Sequence, residues 1–66
     1  MSDYELYVCG RDFGCKTMKE FDASGDYEAQ KIATDAIEEY EKESGDYIYR
    51  EYLYRNDEGK QVEIAI

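Results

Sequence analysis

The sequence predicts an α+β fold: a small single domain, residues 1–66, of order β-β-α-β-β, with one helix packed on a mostly antiparallel four-stranded sheet. Three observations predict it. The stretches 4–10 and 60–66 alternate with period two and carry one apolar face each. A single stretch, 23–45, holds an apolar stripe at helical spacing. Glycine-bearing turns, "GRDFG" and "NDEG", separate neighbouring strands near each end of the chain.

The first strand is "YELYVCG" (4–10), with Tyr4, Leu6 and Val8 on one face and Glu5, Tyr7 and Cys9 on the other. "GRDFG" (10–14) supplies turn residues, and "CKTMKEFDA" (15–23) returns as a second strand with a less regular pattern. These two form an antiparallel hairpin. In the helical stretch, Ala29, Ile32, Ala33, Ala36, Ile37 and Tyr40 fall on one stripe. Ser24 or Asp26 is placed to cap its start, because a short polar side chain accepts from a free backbone N–H there. Gly45 is placed to end it in the left-handed conformation.

"DYIYREYLYR" (46–55) is a third strand of mixed parity. Ile48, Tyr52 and Tyr54 share one face by simple alternation, and Tyr47, Tyr49 and Leu53 share the other. Either a bulge shifts the register or both faces are partly covered. "NDEG" (56–59) is a turn in which Gly59 suits a positive φ. "KQVEIAI" (60–66) then places Val62, Ile64 and Ile66 on one face of a fourth strand.

At 66 residues, starting from Met1 with no tag or low-complexity run, the chain reads as a complete small protein. It lies near the lower size limit for a core without staples. No apolar run approaches the roughly 18–20 residues of a membrane span, and "MSDYELYV" lacks the features of a secretory signal. The cytoplasm is therefore the expected compartment, the host's if the protein is phage-encoded.

Seventeen acids against eight bases leave a formal net charge of −9. That repels phosphates, so direct binding to nucleic acid or to an anionic membrane is not expected; basic protein partners are. Ten aromatic residues, eight of them tyrosine, argue for a folded rather than a disordered acidic chain.

Catalysis is not expected. There is no histidine to act as a base near neutral pH, and no nucleophile motif. No cofactor signature is present. Cys9 and Cys15, at the ends of "CGRDFGC", cannot alone make a four-ligand zinc site. A hairpin at this turn can bring them opposite each other, and a disulfide is then open to them in oxidising surroundings if their Cα atoms come within about 7 Å. In the cytoplasm the reduced pair is the expectation. Asp22, Ser24, Asp26 and Glu28 have the spacing of the first four ligand positions of a calcium loop. Tyr27 and Ala33 stand where its glycine and bidentate glutamate belong, and helix capping explains the same residues.

The acidic helix is the most informative feature. Residues 24–46 hold eight acids and two lysines. Glu28, Asp35 and Glu39 line one exposed flank at 100° per residue, with Glu38 and Glu41 further round. Pairing of Lys31 with Glu28 and Asp35, and of Lys42 with Glu38, fits a solvated face that keeps the protein soluble. It leaves Glu39, Glu41, Glu43 and Asp46 at the helix end where the macrodipole disfavours acids. Tyr47 and Tyr49 follow at once, and exposed tyrosine beside carboxylates is the composition of a protein-binding patch.

In its charge, its element order and the helix "GDYEAQKIATDAIEEYEKESG", the chain resembles the small acidic phage-encoded inhibitors that mimic nucleic acid, the anti-CRISPR proteins among them. The resemblance implies a DNA-mimic mechanism: carboxylates occupy the basic channel of a nucleic-acid-binding protein or CRISPR effector complex and block it. Glu28, Asp35, Glu38, Glu39, Glu41, Glu43 and Asp46 are the candidate phosphate surrogates, with Tyr47 and Tyr49 as adjoining contacts. The alternative is a small cytoplasmic assembly module that dimerises or docks through a sheet edge or its tyrosine-rich face.

Overall fold

A computed structural model describes residues 2–66 and contains five elements in the expected order. Strand β1 spans Ser2–Gly10, β2 Gly14–Ala23, helix α1 Asp26–Ser44, β3 Ile48–Asp57 and β4 Lys60–Ile64. The sheet is antiparallel throughout, in the order β2-β1-β3-β4. The two hairpins lie side by side with β1 and β3 at the centre, and α1 covers one face.

Alternation along β1 puts Tyr4, Leu6 and Val8 under the helix, all of them buried. Leu6 pairs directly with Leu53 on β3, and both are completely buried. Ala29 and Ala33 let the helix approach closely, while Ile32, Ala36, Ile37 and Tyr40 pack around them. The helical stripe thus sits where its spacing predicts. Phe21 stacks on Tyr4, and Phe13 meets Tyr40 edge-on, closing the two ends of a thin core.

The mixed parity of the third strand is resolved by a bulge. Cys9 pairs with Arg50 but Gly10 pairs with Ile48, so Tyr49 is the extra residue. Ile48 therefore shares the helix-facing side with Leu53, while Tyr52 and Tyr54 turn to the other. This corrects simple alternation, which groups Ile48 with the two tyrosines. A second bulge lies in β2, where Leu6 pairs with Lys19 and Tyr7 with Thr17. The intervening Met18 explains that strand's irregular pattern, and its side chain packs against the core.

The turns follow their glycines. Glu58 and Gly59 form a two-residue hairpin loop with φ of 48° and 84°, the paired positive values of a type I′ turn. Gly10 is needed for space: a Cβ there would lie 2.3 Å from the Phe13 ring. Gly45 ends α1 at φ 73°, its N–H bonding to the Glu41 carbonyl. An alanine at this position adopts left-handed backbone at a cost of about 1 kcal/mol. Gly45→Ala is therefore expected to lower the melting temperature by about 4–8 °C in a thermal scan.

The helix start differs from expectation. Gly25 is the N-cap, and it makes no side-chain cap bond. Ser24 instead donates both its N–H and its hydroxyl to Glu28. Asp26 turns inward, accepting from the Tyr4 hydroxyl at 2.7 Å and from Arg55 Nη1 at 2.9 and 2.8 Å. Arg55 also donates to Asp57 at 2.7 Å. Neither Ser24 nor Asp26 caps the helix, because each has a stronger partner elsewhere. No helix among the described residues is long and apolar enough to cross a membrane.

Candidate protein-binding surface

The structure sorts the acidic residues into those with internal work and those without. Glu28 is held by Ser24, whose hydroxyl and N–H keep its carboxyl below the usual carboxylate range. Glu41 accepts the N–H of Ile48 at 3.0 Å, tying the last turns of α1 to the start of β3. Asp46 is buried and accepts the N–H of Tyr47 at 2.7 Å, while its own N–H bonds to the Ser44 hydroxyl. Glu41 and Asp46 thus serve the helix-to-strand connection. They satisfy backbone donors that the connection would otherwise strand.

Asp35, Glu38, Glu39 and Glu43 remain exposed on α1. Asp35, Glu39 and Glu43 are four residues apart in turn, so they rise along one ridge over about 12 Å. The ridge borders a groove between α1 and β2, lined by the apolar Met18, Ile32, Ala36 and Tyr40 and by Lys19. Glu38 lies further round. Tyr47 and Tyr49 flank the buried Ile48 and are 60% and 52% exposed. Apolar area and carboxylates therefore adjoin along the groove between α1 and β2, while the two tyrosines lie where the chain enters β3.

The expected neutralisation of this helix by lysines does not occur. Among the described residues the ion pairs are Arg11–Asp12, Arg55–Asp26 and Arg55–Asp57. Lys31 lies over the Tyr27 ring at 5.8 Å, a cation–π contact that competes with weak exposed pairs. The calcium-loop-like spacing also disperses: Asp22 points to the uncovered sheet face, Asp26 to Arg55, and Glu28 to Ser24.

Cys9 and Cys15 pair across the first hairpin and are joined by a disulfide, with Cα atoms 4.0 Å apart. The reduced pair expected of a cytoplasmic chain is thus not the state the structure holds.

Besides Glu28, two further carboxylates are perturbed, in opposite senses. The Tyr4 hydroxyl, and then Arg55, hold the Asp26 carboxyl below its usual value of 3.8. A hydrogen bond shared with Asp22, reinforced by that neighbour's charge, raises Asp3 above 3.8. Asp26 contributes stability above 3.8 that is lost as the pH falls through its lower folded value. The Asp3–Asp22 pair opposes folding at neutral pH, and that penalty is relieved as the pH falls through the raised value of Asp3. The melting temperature is therefore expected to peak in mildly acidic solution, between neutrality and about pH 4. Calorimetry across that range checks it; Asp22→Asn should flatten the rise on the neutral side.

In comparisons with protein-family models, curated proteins and solved structures, nothing matches this chain. The class that fold and surface define is an acidic α+β domain with one helix on a four-stranded antiparallel sheet.

Proposed function

We propose that the protein binds a basic surface of a partner protein, a nucleic-acid-binding site in the first instance, and inhibits it by occupying the place of DNA or RNA phosphates. One observation carries this reading. Asp35, Glu39 and Glu43 form an exposed ridge, free of intrachain ion pairs among the described residues, that runs from the middle of α1 to the carboxyl pole, where Glu43 meets the end that disfavours acids. None of the three is tied up in an intrachain ion pair among the described residues, so each is open to charge-assisted, two-pronged hydrogen bonds from arginine side chains of a partner. Tyr47 and Tyr49 supply adjoining contact area. The protein acts by binding and performs no chemistry of its own.

Glu39→Lys combined with Glu43→Lys is expected to abolish capture of the partner, isolated from a bacterial lysate at low salt. The fold should stay intact, because both residues are exposed. Glu41 is left alone in this test, since it holds Ile48. Affinity should weaken roughly tenfold or more between about 0.05 and 0.3 M salt. A binding constant that is flat with salt contradicts the mechanism.

A second reading, an assembly module, draws support from the sheet face that α1 leaves uncovered. Light scattering separates the two: a tight homodimer burying that face favours assembly.

A further inference from the structure

The face of the sheet opposite α1 has a composition that packing alone does not require. Register places Asp22, Asp3 and Asn56 in one row across β2, β1 and β3, and Glu20, Glu5 and Tyr54 in the next. Tyr7 and Tyr52 pair in the row beyond, and Glu63 lies beside Tyr54 on β4. Tyr52 stacks on Tyr54 at 6.3 Å between ring centres, and Tyr7 meets Tyr52 at 6.4 Å. Three half-buried tyrosines thus form a continuous aromatic strip on a face that no element covers.

Beside the strip, Asp3 stands directly opposite Asp22, and Glu5 directly opposite Glu20. Like charges in directly opposed positions destabilise a sheet. Glu5 is held by Thr17 at 2.6 Å and Gln61 at 3.0 Å. Asp3, Glu20 and Asp22 instead line a depression at the sheet's end together with Asn56. Against these acids and Glu63, the face carries one cation among the described residues, Arg50, whose guanidinium donates to the Tyr52 hydroxyl at 3.3 Å.

We propose that this sheet face is a second docking surface, for an arginine-bearing segment of a partner protein. The guanidinium groups would lie over Tyr52 and Tyr54 and pair with Asp3, Glu20 and Asp22. Charge complementarity selects the occupant. A second copy of this chain would bring two acidic faces together, with a single arginine on each to offset them. Arginine rather than lysine is favoured because its planar group both stacks on aromatic rings and forks onto carboxylates. The surface lies on the opposite side from the helix ridge, so its failure and that of the ridge are separable.

The test is titration with a nona-arginine peptide at moderate salt, followed by nuclear magnetic resonance of the tyrosine rings, with nona-lysine alongside. Shifts of the Tyr7, Tyr52 and Tyr54 rings are expected, with arginine binding at least fivefold tighter than lysine. Glu20→Lys with Asp22→Lys should weaken binding at least tenfold. Because it sets lysines opposite Glu5 and Asp3, it should also raise the melting temperature, which separates lost docking from lost folding. Tyr52→Ala with Tyr54→Ala should abolish the preference for arginine. Unmoved rings, equal binding of the two peptides, or loss of binding only in the Glu39→Lys/Glu43→Lys variant overturns the proposal. A homodimer through this face overturns it as well.

Discussion

Leu53→Ala is expected to destabilise the protein by about 2–5 kcal/mol, enough to leave much of it unfolded at physiological temperature. Leu53 is completely buried at the centre of β3, opposite Leu6 and beneath the two helix alanines. Deleting its side chain leaves a cavity in a close-packed core, which the surrounding side chains fill only in part. A domain of this size has little reserve, since small chains bury a smaller fraction of their surface. Circular dichroism during heating or urea titration measures the loss. A change below about 1 kcal/mol would mean that the core does not lie where Leu6 and Leu53 place it.

Reducing the Cys9–Cys15 bond is expected to cost about 2 kcal/mol, the chain-entropy value for so short a loop. The loop it closes spans a sequence separation of six. The remaining pairs of the hairpin stay in register, and Phe13 stays against Tyr40, so the fold should survive reduction. A thermal scan with and without a thiol reductant, and of the Cys9→Ser/Cys15→Ser variant, should show equal drops of roughly 8–16 °C. Complete unfolding on reduction would show that the first hairpin depends on the bond rather than on its ladder.

The two central strands were legible in different degrees. The strict alternation of Tyr4, Leu6 and Val8 identifies β1 and its buried face without ambiguity. In β3 the same rule misgroups Ile48, because one extra residue inverts the parity and its backbone cost leaves no mark in residue type. Helix α1 was legible from the stripe of Ala29 to Tyr40, and Gly45 from its need for positive φ. Ser24 and Asp26 were misread because capping competes with partners distant in sequence. The Tyr4 hydroxyl lies 22 residues from Asp26, and Arg55 lies 29.

Within the candidate surface, charge density marked the carboxyl half of the helix without separating its members. Glu41 and Asp46 look like Glu39 and Glu43 in the sequence. Only the path of the chain into β3 shows that the first two answer backbone N–H groups of Ile48 and Tyr47. The uncovered sheet face was foreshadowed by Glu5, Tyr7 and Cys9 alternating against the core. Its paired acids required the β1–β2 register.

Helix α1 is fastened at both extremities by side chains rather than by core packing alone. Asp26 bonds it to β1 through Tyr4 and to β3 through Arg55, and Glu41 bonds its other extremity to β3 at Ile48. The helix therefore has no hinge at either end from which to peel away from the sheet. Opening it means breaking contacts to both central strands together, which makes helix and sheet a single cooperative folding unit. On the proposed binding reading, a partner at the helix ridge would meet a backbone already fixed in place, leaving only the exposed side chains of Asp35, Glu39 and Glu43 to be ordered.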